Sequence, residues 1–559
     1  PGEVLSATGC APAGNTVAAC PPGFAPDEVA LPADGIAGCA ANASDCGEGP
    51  FGNIQAGLAT YFVDPTAPAG GNGSIGKPLK TLAEGLVAAA GAPAPPTVVL
   101  AAGTYAGSVD VAKSVVLRGR CAAMVTVTGS TGLPVFNVSD KGLNVTLRDL
   151  RLLGGAQGVR VSAGAKVTLQ KVLISMSADT ALRISEQSIV TANSLVIEGG
   201  AQVNKPGGRG VRIDDIAKVG LTDVRITGCR DRALLASDIG TSVVGKRLFV
   251  DRTGARAEDG KHGRGIEIRD GARLSLTGAV VRDNLNAGVY LEAAAAGTRL
   301  VDVRVADTEG TQLDGSHGEG VMIIDSPGVE LRALDLEGNR YVGLAIEGSQ
   351  TQVDVANLRV SGTRSRISDS SGGRGVDVDG LANAKFSWLH LVSNRRAGLA
   401  VDGASVVELR ASLVEATEAE QNDGDGGFGI ELAGSARLDV DDVRLSGNRD
   451  VGMRVSGPGT NVHGKALVID GTLGRTSDGT AGRGVVVEGG ANLTLSASRM
   501  SANRDAGFLL RDPESWAIVS GLVADGTLAR QADGRNGYGV AVTDGASLSF
   551  SGGRCSDNH

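Results

Sequence analysis

The stretch Gly318-Glu-Gly-Val321 begins a unit that the chain repeats almost unchanged. The next two copies begin at Gly373-Arg-Gly-Val376 and Gly427-Phe-Gly-Ile430, so the steps are 55 and 54 residues. A fixed period of this kind indicates a solenoid or array rather than a globular core. The same Gly-x-Gly-Val/Ile signal opens further copies at Gly208, Gly263, Gly482 and Gly537.

Two other residues recur with this period. An Asn returns once per unit, followed four residues later by Gly in its first five copies, and a Thr also returns once per unit. Asn tolerates a left-handed backbone and bonds nearby backbone groups, which suits a compact turn. Because catalytic groups are not needed six times over, we interpret both as structural. The copies are Asn284, Asn339, Asn394, Asn448, Asn503 and Asn558, and Thr253, Thr308, Thr363, Thr417, Thr472 and Thr527.

Short runs within each unit alternate apolar and polar residues, as in Gly265-Ile-Glu-Ile-Arg269 and Arg273-Leu-Ser-Leu-Thr277. A period of two over four to six residues, with Gly, Asp and Asn between the runs, predicts strands separated by tight turns. The array has no sustained helical stripe of apolar residues, so the prediction is an all-β parallel β-helix. Each unit is long enough for two coils.

One turn of each unit is compact, and the other is a long polar loop after the recurring Thr, such as Thr253 to His262. Adjacent strands lie about 4.8 Å apart, so the loops should leave one edge in a row spaced by roughly 10 Å. About seventeen coils would make a rod on the order of 80 Å long. The row of loops is the candidate binding surface, with Asp259, His262, Asp314, His317, Arg364 and Arg366.

Residues 1–52 form a leader rich in Gly, Ala and Pro, with Cys10, Cys20, Cys39 and Cys46. Four cysteines in a segment too small to bury a core indicate two disulfides and an oxidising compartment, with three possible pairings. A zinc site is the alternative, although no Cys-x-x-Cys pair is present.

Residues 53–96 are predicted to cap the β-helix, which follows at 97–559 and is regular from about residue 208. Pro78 fits a first helical turn, and a helix there would cover the unpaired backbone of an open end. No such helix follows the last repeat at Asn558, so we expect the chain to continue there or to meet a partner. One helical face of the cap collects Leu79, Leu82, Leu86, Val87 and Ala90.

Motifs at the start of the coils resemble those of the pectin-lyase-like superfamily. They are Tyr61-Phe-Val-Asp64, Lys77-Pro-Leu-Lys-Thr-Leu82, Val98-Val-Leu-Ala-Ala-Gly-Thr-Tyr105 and Val115-Val-Leu-Arg-Gly119. The resemblance covers roughly residues 61–559 and implies a right-handed parallel β-helix solenoid, two coils per 55-residue unit, with a short N-terminal capping helix. The leader around Cys20-Pro-Pro-Gly-Phe24 looks like that of bacterial surface lipoproteins.

Composition narrows the classes of partner. The 559 residues carry a net charge of -9 and only 3% aromatic residues, with no basic run, which argues against nucleic acid. The chain begins at Pro1 without Met or a signal-peptide core, so we expect a mature or excised form. No apolar run is long enough for a transmembrane span. The expected location is extracellular or on the outer cell surface.

No catalytic residue is assigned from the sequence. Enzymes of the resembled superfamily act on acidic polysaccharides with Arg or Lys bases or grouped Asp acids, and glycoside hydrolysis needs two facing carboxylates. Asp pairs such as Asp214-Asp215 fall in slots where other units hold other residues, so we interpret them as turns. The acidic loop with Asp423 and Asp425 is the calcium candidate, although Asp-Gly steps are also common in turns. No other cofactor is expected.

The sequence therefore favours a non-catalytic extracellular or cell-surface protein that displays polar loops along a β-helix rod. Its partner would be a protein or a polysaccharide, and end-to-end assembly is an option. The alternative is a polysaccharide lyase or glycoside hydrolase that uses the loops bearing His262, His317, Asp314 and Arg364-Ser-Arg366. A glycan-binding module is a third hypothesis, with Trp388, Tyr341 and Tyr290 as a small aromatic platform.

Overall fold

A computed structural model describes residues 3–6, 9–12, 18–27, 38–92, 95–199 and 208–559. The chain divides into an N-terminal unit, Asn15–Leu285, and a C-terminal unit, Asn286–His559 with Pro1–Gly14. In both units the coils are built from parallel strands, each paired with the strand one coil later. The backbone N–H and C=O groups of one coil therefore find their hydrogen-bond partners in the next coil. A repeat that forms no helix needs such partners outside its own strands.

Short strands form one face of the coils, called the short-strand face below. They pair in register, as Val159 with Leu182 and Val321 with Leu344. In the N-terminal unit they are Val109–Asp110, Phe136–Val138, Gln157–Val161, Thr180–Ile184, Arg209–Ile213, Arg232–Ala236 and Arg264–Arg269. In the C-terminal unit they are Ala287–Glu292, Glu319–Ile324, Val342–Glu347, Arg374–Asp379, Ala397–Val401, Phe428–Leu432, Val451–Ser456, Arg483–Glu488, Ala506–Leu510 and Tyr538–Val542.

Longer strands form the other sides of each coil. A residue with left-handed backbone bends most of them in the middle, for example Asn357 (φ 56°) and Ala411 (φ 47°). The N-terminal unit has Asn144–Gly154, Lys166–Ser175, Ile189–Glu198, Lys218–Thr227, Ser242–Asp251 and Arg273–Arg282. The C-terminal unit has Arg299–Ala306, Val329–Glu337, Gln352–Ser361, Asn383–Val392, Val406–Glu415, Arg437–Ser446 and Asn461–Asp470, followed by the split pairs Asn492–Ser496 and Arg499–Ser501, Trp516–Ser520 and Val523–Asp525, and Ser547–Ser551 and Arg554–Ser556.

The interior of the coils is a set of apolar stacks. Val321, Leu344, Val376 and Leu399 are Cα partners in consecutive short strands, and all four are fully buried. Each such side chain contributes roughly 1.5–3 kcal/mol through its removal from water. The alternate residues of the same strands point outward, so the outer columns carry the polar groups considered below.

The first coils carry the single helix among the described residues that is longer than one turn, α1 at Leu82–Ala90. It begins later than Pro78 suggested, because Thr81 and Glu84 form a capping box and Leu79 instead bridges Val63. No helix in the described ranges combines the length and the apolar character that crossing a membrane requires. The first strands are Thr60–Val63, Thr97–Leu100, Gly103–Ala106, Val115–Gly119 and Val125–Gly129.

The leader contains two antiparallel strand pairs, Glu3–Ser6 with Gly9–Pro12 and Phe24–Asp27 with Gly38–Ala41, and a short 3-10 helix at Ala43–Cys46. Cys20 and Cys39 form a disulfide. The prediction that the leader cysteines pair only among themselves is wrong, because Cys46 is bonded to Cys121 in a coil. The side chain of Cys10 lies outside the described residues.

Candidate functional site

The recurring Asn and Thr residues form a buried ladder between coils. Asn394 Oδ1 accepts bonds from the backbone N–H (3.1 Å) and hydroxyl (2.7 Å) of Thr363, and its Nδ2 donates to the Val360 carbonyl (3.0 Å). The copies Asn339, Asn448, Asn503 and Asn558 also bridge to the Thr of the previous coil and to the strand before it. Their amides therefore satisfy backbone groups that the turns leave unpaired.

The prediction that the recurring Asn itself adopts a left-handed backbone is wrong. The left-handed residue of the compact turn stands two positions later, as at Tyr341 and Arg396. The Asn copies are instead buried, and the recurring Gly makes room for them. A Cβ on Gly375 would lie 2.9 Å from Asn394 Nδ2 and 2.6 Å from the Gly398 carbonyl oxygen.

Four of the six predicted binding-surface residues are parts of the turns in the long loops. Asp259 Oδ1 accepts the N–H of Lys261 (3.1 Å), and Asp314 Oδ1 accepts that of Ser316 (3.0 Å). The bond from Arg256 lowers the pKa of Asp259 to about 2, and bonds from Ser316 and Thr311 lower that of Asp314. His262 and His317 both have left-handed backbones. Other loops fill that left-handed position with Gly372, Gly426, Ala481 and Asn536.

The two predicted arginines connect different coils, and Arg364 reaches both the preceding coil and the loop one repeat earlier. Arg364 Nη2 donates to Glu309 Oε1 (2.8 Å), and its Nε donates to the Gly338 carbonyl (2.8 Å). The Arg366 guanidinium lies 4.3 Å from the ring centroid of Tyr341. The six residues thus lie in three separate loops, and the contacts of Asp259, Asp314, Arg364 and Arg366 hold those loops to themselves or to the next coil.

The calcium candidates are engaged in the same way. Asp423 Oδ1 accepts the N–H of Asp425 (2.9 Å), while the Asp425 carboxylate contacts Ser477 (3.3 Å) and Arg475 (3.6 Å). Within the described ranges, no three or more His, Cys, Asp or Glu side chains are grouped so that they could hold a metal ion. Asp423 and Asp425 therefore serve the loop turn and the contact with the next loop.

A different group of acidic residues distinguishes one part of the short-strand face. We call Glu319, Glu347, Asp377 and Asp379 the carboxylate cluster. Glu347 and Asp379 are Cα partners at the outer ends of adjacent strands, so their backbones are about 4.8 Å apart. Asp377 stands two residues before Asp379 and is the partner of Ala345, whose small side chain leaves space between them.

The members of the cluster differ in their partners. Glu319 is buried and contacts His317 Nδ1 (3.1 Å), and Asp377 accepts a bond from Arg374 Nη1 (2.6 Å). Asp379 is exposed and accepts the Gly380 N–H (2.5 Å). The carboxylate of Glu347, in contrast, is half-buried and has no hydrogen bond or ion pair with any described residue.

This environment favours the protonated form of Glu347. Burial raises its pKa, and the charges of Asp377, Glu319 and Asp379 raise it further, while His317 opposes them. Burial also raises the pKa of Asp377, against the effect of Arg374. An acid with a raised pKa next to an exposed carboxylate is an arrangement that enzymes use for proton donation.

Two glutamates in later coils of the same face are paired with arginines. Glu431 contacts Arg396 (3.7 Å) and Arg454 (3.4 Å), and Glu488 contacts Arg454 (2.8 Å) and Arg511. Their carboxylates are neutralised by arginines one coil away. Glu347, in contrast, has no such arginine partner among the described residues.

Sequence patterns missed this cluster. Its members stand in ordinary alternating strands, Gly343-Leu-Ala-Ile-Glu347 and Gly375-Val-Asp-Val-Asp379, and not in loops. The available signal was that the strand at Gly375 carries two acids at outward positions, while Gly398-Leu-Ala-Val-Asp402 and Gly452-Met-Arg-Val-Ser456 carry one or none. Alignment of the repeats by their outward positions would have revealed it.

Comparison with known proteins agrees with the coil architecture. Residues 297–467 match the family model described as the right handed beta helix region. None of the curated proteins matches this sequence.

Three of the solved structures that match this chain do so at low identity and low TM-score. A pectate lyase is 14% identical over 69% of this chain and 75% of its own (TM-score 0.26), and the A-module of an Azotobacter vinelandii mannuronan C-5 epimerase is 15% identical over 63% and 91% (TM-score 0.31). The N-terminal fragment of bacteriophage phi29 gene product 12 is 11% identical over 82% and 88% (TM-score 0.39). The stacked parallel strands and the match over residues 297–467 identify the chain as a right-handed parallel β-helix.

Proposed function

We propose that this protein is an extracellular carbohydrate-active β-helix that hydrolyses a neutral polysaccharide at the carboxylate cluster. The observation that carries the proposal is the half-buried Glu347 carboxylate, which has no hydrogen-bond or ion-pair partner among the described residues and whose strand position is beside that of the exposed Asp379. Disulfides at Cys20–Cys39 and Cys46–Cys121 support the location, because such bonds persist in oxidising compartments.

The two carboxyl groups would have different roles. Glu347, whose pKa is raised, would donate a proton to the oxygen of the leaving sugar. Asp379, which is exposed, would act on the opposite side of the bond as base or nucleophile. Arg374 would keep the negative charge of Asp377 in place and so maintain the field that raises the pKa of Glu347.

The charge of the site argues for a neutral substrate. The cluster has four carboxyl groups, and the basic side chains Arg374 and His317 already contact Asp377 and Glu319. A uronate carboxylate would meet this negative field, and no arginine or lysine among the described residues pairs with Glu347 or Asp379 to offset it. Elimination from a uronate also needs a base and such a cation, so hydrolysis fits the residues better than a lyase reaction.

A second function, non-catalytic display of the loops to a protein or polysaccharide, is supported by a separate feature. Within Asn286–His559 the long loop of one 55-residue repeat contacts the long loop of the next repeat. For example, the Ala532 N–H donates to the Gly479 carbonyl (3.1 Å). A ridge of loops built in this way would keep a fixed spacing of its exposed residues, which suits a repeating ligand.

Hydrolysis can be tested by incubating the purified chain with neutral and acidic polysaccharides and measuring new reducing ends. We expect cleavage of a neutral member and a loss of at least 100-fold in Glu347→Gln, since general acid catalysis contributes roughly that much. Activity should fall as the pH rises through the raised pKa of Glu347, because the donor must be protonated.

The matched control is Asp441→Asn, which removes an exposed carboxylate from a different face of the same unit. It should retain full activity. If no neutral polysaccharide is cleaved, or if Glu347→Gln cleaves as fast as the wild type, the catalytic proposal is wrong. If the wild type then bound a polysaccharide without cleaving it, the display function would be favoured.

A further inference from the structure

A column of three arginines lies on the short-strand face of the N-terminal unit. Arg160 and Arg183 are Cα partners in neighbouring strands, and Arg183 and Arg212 are partners in the next pair. The three residues, called the arginine ladder below, therefore project from consecutive coils at steps of about 4.8 Å. Guanidinium groups at this spacing are close enough to donate to the same anion.

The ladder carries more positive charge than its neighbours neutralise. Asp214 is its one ion-pair partner among the described residues, at 3.0 Å from Arg183 and 2.9 Å from Arg212. Arg160 is exposed and forms no hydrogen bond or ion pair with any described residue through its side chain. Arg183 and Arg212 thus share one carboxylate and Arg160 has none among the described residues, so the three guanidinium groups keep two positive charges in excess.

Other nearby carboxylates are already engaged. Asp179 accepts bonds from Gln157 (3.1 Å) and Arg209 (3.5 Å), and Asp231 contacts Arg209 (2.7 Å) and Arg232 (2.8 Å). Burial lowers the pKa of Arg183, and the charge of Arg212 lowers it further. Arginine nevertheless stays protonated in proteins, so the ladder repels itself until an anion enters.

We propose that the arginine ladder binds a tetrahedral dianion, a phosphate or a sulfate group, either free or carried on a larger molecule. A dianion would cancel the two remaining charges, whereas a single carboxylate would leave one. Arg183 and Arg212 each use one side of the guanidinium for Asp214, and Arg160 uses none, so donors remain for several oxygens. Arginine is also the side chain best shaped for two-point bonding to such oxyanions.

The test is titration of the full chain with inorganic phosphate and inorganic sulfate at constant ionic strength, followed by calorimetry. We expect saturable binding that weakens at least fivefold in Arg160→Gln and is lost in the double variant Arg160→Gln with Arg212→Gln. The exposed Arg160 side chain forms no hydrogen bond or ion pair with any described residue, so its replacement should leave the fold unchanged. Arg160→Lys should bind less tightly than the wild type because the ammonium lacks the two-point fork.

The matched control is Arg273→Gln, which removes an exposed arginine from another face of the same unit. It should bind phosphate like the wild type. Equal weakening in Arg273→Gln and Arg160→Gln, or wild-type affinity in the double variant, would overturn the proposal. Dextran sulfate against neutral dextran separates the two sources, because tighter binding of dextran sulfate than of free sulfate indicates a polymer-borne anion and the reverse indicates the free ion.

Discussion

At the scale of single residues, Glu347 is the clearest conflict between stability and the proposed chemistry. Its pKa is raised in the folded chain, so its ionised form destabilises the fold above that pKa and has no effect below the unfolded value of about 4.3. Glu347→Gln should therefore raise the free energy of unfolding by about 1 kcal/mol at pH 8, and by almost nothing at pH 4. Urea denaturation at the two pH values measures this difference. A variant less stable than the wild type at pH 8 would contradict it.

Two free cysteines should differ in reactivity for a reason that also belongs to single residues. Cys229 is buried where later units hold Asn, and burial raises the pKa of its thiol, while Cys555 is exposed. The thiolate is the reactive form, so a thiol reagent should label Cys555 in the native chain and Cys229 only in denaturant. Peptide mass mapping checks this. If Cys229 were labelled in the native chain as fast as Cys555, the reagent would have access to the Cys229 thiol and the prediction would be wrong.

At the scale of one coil, the Asn ladder decides whether turns and strands stay in register. Asn394→Ala would leave the Thr363 N–H and the Val360 carbonyl buried without partners, at a cost of roughly 2–4 kcal/mol. Asn383→Ala, at an exposed strand position of the same coil, is the control and should cost less than about 0.5 kcal/mol. Chemical denaturation compares the two variants. Equal costs would mean that the ladder does not stabilise the coil.

The recurring glycines allow a second test of the same element. Gly375→Ala would force a Cβ to within 2.6 Å of the Gly398 carbonyl oxygen, so we expect a loss of about 2 kcal/mol or more. Gly220→Ala places a Cβ where no atom lies within 4 Å, and it should be neutral or slightly stabilising. Thermal unfolding of both variants measures the contrast. The ranking would be refuted if Gly220→Ala were the more harmful change.

At the scale of the whole molecule, stability should be a sum of local terms, because the strands of each coil pair with those of the adjacent coils and the loops reach no further than the next repeat. The Cys46–Cys121 disulfide closes a loop with a sequence separation of 75 residues, and Arg120 also bonds the carbonyls of Cys46 and Gly47. Replacement of both cysteines by Ala should cost about 2–4 kcal/mol locally.

Hydrogen exchange can locate that loss. Amides of residues 43–64 should exchange faster in the double Cys→Ala variant, whereas those of Asn383–Val392 should keep the wild-type rate. The variant Cys20→Ala with Cys39→Ala is the comparison, and it should affect the strands Phe24–Asp27 and Gly38–Ala41 instead. Equal acceleration in all regions would indicate one cooperative unit and contradict the local view.

The amino-acid sequence is enough to predict the stacked coils. A 55-residue period, alternation of apolar residues and recurrent Gly, Asn and Thr predict stacked parallel strands, because each signal depends on contacts that every repeat makes in the same way. The same reasoning predicts the polar loops, since their Thr and Asp-Gly steps also recur. It could not give the start of α1, which a local capping box sets, or the role of Asn, which depends on the coil before it.

The folded chain is needed to see which non-repeating side chains of different coils lie next to one another. Glu347 and Asp379 are far apart in sequence, and the length of the intervening loop brings them to one column. The partner of Cys46 and the single carboxylate shared by the arginine ladder depend on placement in the same way. Periodic patterns report what all coils have in common, whereas charge balance and burial at one point depend on which coils are neighbours there.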